Sequence, residues 1–155
     1  MAKKMSTKEL MFYKEYHNNP INKLIHVICI PLIAVTLGNL CTYLIPVNAL
    51  SGFLKGDTIL SLLYIYIYHT GWPNKIAKIM TVWMIIICVI GRYFRYARPE
   101  TWVIESFYIH VASWVLQFIG HAIEGRKPAL FDSLKQAFVQ APVFSLEPYI
   151  PGMFE

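Results

Sequence analysis

Residues 101–124 read TWVIESFYIHVASWVLQFIGHAIE. Six polar residues in this stretch, Ser106, His110, Ser113, Gln117, His121 and Glu124, follow one another at steps of 4, 3, 4, 4 and 3. At about 100° per residue they fall within an arc of roughly 80° on one helix. Trp102, Val103, Phe107, Tyr108, Val111, Trp114, Val115, Phe118 and Ile119 make up most of the remaining surface and suit lipid. Ionisable groups at membrane depth are costly, so such a stripe faces a bundle interior and marks a functional site. Two of its six members are histidines, which points towards metal.

The rest of the chain agrees with a membrane setting. Its 155 residues are 56% hydrophobic and 15% charged, with a mean hydropathy of +0.45. No charge occurs between Lys23 and Lys55, between Asp57 and Lys75, or between Lys78 and Arg92. About 20 apolar residues cross a bilayer, and fewer suffice where flanking Lys and Arg snorkel. The pattern predicts an all-α integral membrane bundle, a single domain over 1–155, with crossings at 24–45, 57–73, 76–94 and 101–121. No cleavable signal peptide is expected, because residues 1–23 are polar and the first apolar block is too long for one. Cys29, Cys41 and Cys88 lie in separate apolar blocks without CxxC spacing, as core thiols do.

The net charge of +5 flanks apolar blocks instead of forming a stripe among exposed aromatics, so nucleic acid is not an expected partner. Four crossings put both termini on one side, with Lys3, Lys4, Lys8, Lys14, Lys23, Lys75, Lys78, Arg126, Lys127 and Lys135. The other side has Lys55, Arg92, Arg95 and Arg98. Ten against four places the termini in the cytoplasm by the positive-inside rule.

Ser6 and Glu9 form a capping box, and residues 6–17 read as an amphipathic helix on the membrane surface. Asn19 then caps a new helix with Pro20 at its first position. The bend lets His17 fold back over the start of the first crossing, where Asn22 and His26 share a face. Tyr64, Tyr66, Tyr68 and Trp72 read as an interfacial aromatic belt. Pro128 opens an interfacial helix to Gln140, and the tail from Pro142 is expected to be extended and packed on the bundle.

A four-crossing bundle gathers His17, His26, His69, His121 and Glu124 at one membrane face. Imidazole with carboxylate is a ligand set for non-haem iron, or for zinc with one position open. His69 lies in the aromatic belt and is expected to be structural. His110 lies eleven residues before His121, roughly 16 Å along a straight helix, too far to share its ion unless Gly120 kinks the helix; it could serve a deeper second site, pair with Gln117, or bind along the channel. HExxH, GxSxG, Walker and GxGxxG motifs are absent, and five scattered histidines do not make the clustered boxes of di-iron desaturases.

The stretch Tyr16-His17-Asn18-Asn19-Pro20-Ile21-Asn22-Lys23-Leu24-Ile25-His26, followed by Ile30-Pro31, resembles the opening motif of the 2-hydroxy fatty acid dioxygenase family of small multi-pass membrane proteins. A second block resembles it too: Trp114-Val115-Leu116-Gln117-Phe118-Ile119-Gly120-His121, then Glu124-Gly125-Arg126-Lys127-Pro128-Ala129-Leu130 and Asp132-Ser133-Leu134. Cys29 departs from the Gly expected before Ile30-Pro31, and residues 40–100 show no family motif.

The resemblance implies an Fe(II)- and dioxygen-dependent enzyme of the endoplasmic reticulum membrane, or the inner membrane in a bacterium, that shortens 2-hydroxy fatty acids by one carbon. It implies His17, His26 and His121 as metal ligands, with His110 a candidate fourth. His110, Gln117 and Glu124 are the candidate catalytic residues, and Lys23 or Arg126 could hold the substrate carboxylate. In this expectation the carboxylate and 2-hydroxyl bind the iron in place of an oxoacid cosubstrate, and C1–C2 cleavage gives carbon dioxide and the shortened acid. The rival is a non-enzymatic lipid-binding or scaffold protein whose polar stripe only joins helices. Metal content separates the two. Nothing in the sequence sets an oligomeric state.

Overall fold

The structure, a computed structural model, describes residues 18–45, 52–125, 127–128, 134, 136–150 and 153–154. Its regular elements are helices: α1 (Pro20–Leu44), α2 (Gly56–Gly71), α3 (Asn74–Ala97), α4 (Trp102–Glu124), a π-helical turn (Gln136–Gln140) and α5 (Ala141–Ser145). The expected helix over 6–17 lies outside the described residues.

α1 begins as its sequence dictates. The Asn19 side chain accepts from the backbone N–H groups of Ile21 and Asn22, and Pro20 sits at the first position, where its missing N–H leaves no bond unmade. Pro31 is carried inside the helix. α4 ends on Gly125, which takes the left-handed conformation (φ 71°) that glycine adopts without strain.

α1 is the central helix. α4 packs along one side of it, and α2, α3 and the C-terminal segment pack on the other. Three helices are long and apolar enough to cross a membrane: α1, α3 and α4. α2, with 16 residues, is about 24 Å long against a hydrocarbon core of about 30 Å. It runs back beside α1 from Gly56, where an added Cβ would lie 2.3 Å from the Cys41 carbonyl oxygen. Thus α1 and α3 start, and α2 and α4 finish, at the same end of the bundle.

Beside its apolar core the bundle has many large apolar side chains outside and many polar ones inside. Leu24, Ile28, Val82, Ile85, Val89, Val115 and Ile119 are exposed, whereas Asn22, Thr36, Asn39, Ser106, Ser113 and Gln117 are buried. That is the arrangement lipid demands.

Three expectations change. Tyr68 is fully buried and donates its hydroxyl to the Val139 carbonyl (3.1 Å), so it is not a belt residue. Residues four apart share a helix face, which turns Tyr64 and Tyr68 inward; Trp72 is buried in the core as well, so of the four belt residues only Tyr66 is exposed. The expected helix from Pro128 to Gln140 appears, where described, as Leu134 and the π-helical turn. The tail is not extended from Pro142: α5 forms there, with the proline in its first turn, a position that needs no N–H. Val143, Phe144 and Met153 pack this segment into the core formed by Trp72, Ile76 and Met80.

Candidate functional site

The polar stripe of α4 meets a second stripe on α1. Asn22, His26, Cys29, Ile33, Thr36 and Asn39 are all buried, at steps of 4, 3, 4, 3 and 3. The helices are antiparallel, so each step along α1 is matched by a step back along α4. Asn22 meets Glu124, His26 meets His121, Thr36 meets His110 and Asn39 meets Ser106. Close approach depends on Gly120, where an added Cβ would lie 2.4 Å from Asn22 Oδ1.

At one end of this seam the His26 and His121 rings meet edge to face with centroids 4.9 Å apart and planes at 87°. Both side chains are buried. His26 Nδ1 lies 2.9 Å from the Asn22 carbonyl oxygen. A carbonyl only accepts, so Nδ1 carries the proton and the neutral ring keeps its lone pair on Nε2. Glu124, one turn beyond His121, accepts from the backbone N–H groups of Asn18 and Asn19 with one oxygen and from the Asn22 amide with the other. A carboxylate at a helix N-terminus is in a favourable field. It docks the start of α1 against α4 and holds the residue whose carbonyl orients His26.

His110 belongs to a different part of the seam. Trp114 Nε1 donates to its Nε2 (3.1 Å), its Nδ1–H is left to donate to Thr36 Oγ1 (2.9 Å), and the Thr36 hydroxyl donates to the Leu32 carbonyl (2.8 Å). The imidazole lone pair is engaged by the indole. His110 does not pair with Gln117, the partner its spacing suggested. His69 bonds Thr81 (3.0 Å) on the α2–α3 hairpin and is exposed.

An apolar cavity of about 50 Å³, or about 500 Å³ counting its open part, begins one turn from the histidine pair, neither of whose rings lines it. Ile30 and Gln117 line its near side; Ile30 is one turn along α1 from His26, and Gln117 one turn along α4 from His121. Leu37, Leu60 and Met84 line it further along. Gln117 is 8% exposed and its Nε2 has no hydrogen-bond partner, which is costly in an apolar surround.

Several sequence candidates fall elsewhere. Lys23 is exposed on the first turn of α1, at the end of the bundle that carries the histidine pair. His17 and Arg126 lie outside the described residues. Among the described residues no three His, Cys, Asp or Glu side chains are grouped to hold an ion. Two adjacent buried imidazoles, with the His26 tautomer set by a carbonyl, nevertheless fit a metal-ligating role in donor type.

A second polar centre, at the opposite end of the bundle, was not foreseen. Asp57, 3% exposed, accepts from Arg95 Nη2 (2.7 Å) and Arg92 Nε (3.3 Å). Its other oxygen accepts from the Thr58 backbone N–H (2.7 Å). Arg92 also reaches the Phe53 carbonyl and Thr58 Oγ1, each at 2.6 Å, and Arg95 donates to Asn39 Oδ1. This network ties α1, α2 and α3 together. The signal in the sequence is one acid opening an apolar block and two arginines three apart closing another.

Comparison with known proteins places the chain in a family. The family described as 2-hydroxy-palmitic acid dioxygenase Mpo1-like matches over residues 4–151. One relative, the 2-hydroxy-palmitic acid dioxygenase MPO1 of Saccharomyces cerevisiae, is 29% identical over 138 residues, covering 88% of this chain and 74% of its own. No solved structure matches the chain. The protein, a bundle of helices with a buried histidine pair beside an apolar cavity, belongs to the 2-hydroxy-palmitic acid dioxygenase Mpo1-like family.

Proposed function

We propose that the protein is an Fe(II)-dependent dioxygenase that converts a 2-hydroxy fatty acid and dioxygen into the fatty acid one carbon shorter, carbon dioxide and water. The observation that carries this reading is the buried His26–His121 pair one turn from an apolar cavity. The yeast relative's name gives the substrate class, an acid with a polar 2-hydroxy head and a long apolar tail.

His26 and His121 would hold the metal, with His17 as third ligand. Iron(II) supplies the activation of dioxygen and a Lewis-acid anchor for the hydroxy-acid head. The Asn22 carbonyl orients the His26 ring through Nδ1–H, as outer-shell acceptors do for ligating histidines. Glu124 is a positioning residue, acting through Asn22. His110 holds α1 to α4 through Thr36 and Trp114, apart from the metal. Lys23, exposed on the first turn of α1, would attract the substrate carboxylate to the membrane surface, and Arg126 is proposed for the same role. The site lies at the leaflet boundary on the cytoplasmic side, in the endoplasmic reticulum of a eukaryote or the inner membrane of a bacterium.

A purely adhesive seam would pair its buried donors. The orphaned Gln117 amide favours a ligand site instead. Iron-loaded protein should consume oxygen with 2-hydroxypalmitate, not with palmitate, and without stimulation by 2-oxoglutarate. Oxidation of palmitate at a comparable rate would contradict the reading.

A further inference from the structure

We infer that the cavity beside the histidine pair is an acyl-chain site with a built stop, in which Leu60 sets the longest chain accepted and Gln117 binds an oxygen of the head. The inference rests on the proposed function for the identity of its ligand, and on the shape of the cavity for everything else.

Along α1 the near end of the cavity is at Ile30 and its far side reaches Leu37. His26 to Leu37 is eleven residues, roughly 16 Å of helix axis at 1.5 Å per residue. A zigzag chain of 1.5 Å carbon–carbon bonds advances about 1.25 Å per carbon, so about 13 carbons fit between the histidine level and that point. Beyond it the bundle is closed by the Asp57 ion pairs.

Between the two lies a much smaller void, about 250 Å³ counting its open part but only about 10 Å³ as a cavity, room for about one water, lined by Gly38, Asn39, Asp57, Ser61 and Cys88. Leu60, Ala34 and Met84 border both spaces. Leu60 is therefore a wall with a cavity on each side. Removing its side chain joins the spaces, and enlarging the side chain at Ala34 fills the first of them. At the other end Gln117 presents an unpartnered amide N–H from a lining that is mostly aliphatic and aromatic. An N–H donor in such a place selects an acceptor, and a carboxylate or hydroxyl oxygen of the head is one.

The test is binding by the full-length protein in detergent, under argon and without iron. Trp83 and Trp114 line the cavity, so a terminally brominated fatty acid quenches their fluorescence, and 2-hydroxylaurate, 2-hydroxypalmitate and 2-hydroxyarachidate compete with it. Affinities are read as ratios between acids on each variant, so differences between proteins in micelle content cancel. Wild type should prefer 2-hydroxypalmitate to 2-hydroxyarachidate by roughly tenfold or more. Leu60→Ala should bring that ratio close to one. Ala34→Leu should move the preference to 2-hydroxylaurate. Gln117→Leu should weaken all three acids by a similar factor and leave the ratios alone.

Ratios unchanged in both Leu60→Ala and Ala34→Leu would overturn the stop, and unaltered affinity in Gln117→Leu would overturn its part. Neither readout needs turnover. Length-dependent binding by a protein that never oxidises a hydroxy acid with iron and oxygen supplied would sink the proposed function and leave the acyl site standing. Turnover with unchanged ratios in the variants would do the reverse.

Discussion

The rings of His26 and His121 meet edge to face at 4.9 Å across the α1–α4 seam, and the same two helices are pinned just beyond them by Glu124. A histidine pair drawn from two helices is only as well placed as the helices are. The distance between them is set by Gly120, and the register by the pairs Asn22–Glu124, Thr36–His110 and Asn39–Ser106.

Gly120→Ala should separate the pair. The new Cβ would meet Asn22 Oδ1 at 2.4 Å, and Asn22 is held by Glu124 and cannot swing away. Overpacking of this kind costs about 1–3 kcal/mol. The thermal midpoint in detergent should fall and bound iron should fall with it. Gly56→Ala should destabilise more, because its clash is with the Cys41 backbone. Gly71→Ala, with nothing within 4 Å, should be neutral or slightly stabilising. Equal midpoints for all three would mean the close approaches are not constraints.

Asp57→Ala should leave Arg92 and Arg95 without their counter-ion. Breaking a buried pair by removing one partner costs roughly 3–5 kcal/mol, whereas replacing the whole pair with apolar side chains is often neutral. Arg95 is the more buried of the two arginines. Thermal unfolding should therefore show the double change Asp57→Leu with Arg95→Met to be milder than Asp57→Ala alone. A double variant as unstable as the sum of its parts would contradict this.

His110→Phe should keep its iron. The side chain is engaged by Thr36 and Trp114, and the change leaves the indole N–H without its partner, worth about 1–3 kcal/mol. Lower stability with undiminished metal content is the expected result. Loss of iron from a folded His110→Phe protein would return His110 to the ligand set.

A C-terminal tag should be digested by protease added to the cytoplasmic side of sealed vesicles. Glu124 touches Asn18 and Asn19, so the start of α1 and the end of α4 share one end of the bundle. The basic residues of the other end are partly neutralised, Arg92 and Arg95 by Asp57 and Arg98 by Glu105 (3.7 Å). The positive-inside rule counts Lys and Arg and not net charge, so the orientation rests on the ten-to-four excess of basic residues at the shared end. Protection of the tag would reverse the orientation.

The stripe on α4 was legible because His, Gln, Ser and Glu stand out against Trp, Val and Phe at helical spacing. Its counterpart on α1 was not, because Cys29 and Ile33 are apolar and only a partner helix reveals them as one face. Asp57, Arg92 and Arg95 are far apart in sequence, and counted as loop charges they gave no hint of a buried network. The cavity arises from six elements at once, so no local pattern contains it. Tyr68 misled through the alternation of three tyrosines, where the period of 3.6 decides burial. The capped start of α1 was legible for the opposite reason: Asn19 and Pro20 act within a single turn.

Iron bound after anaerobic loading tests the central claim most directly. Full-length protein is loaded with Fe(II), freed of excess metal and analysed for iron, alongside His26→Ala, His121→Ala and His69→Ala. Wild type and His69→Ala should retain iron in equal amount, and His26→Ala and His121→Ala, still folded, should lose most of it. Iron content in the His121→Ala protein equal to that of wild type would contradict the histidine site and the dioxygenase built on it.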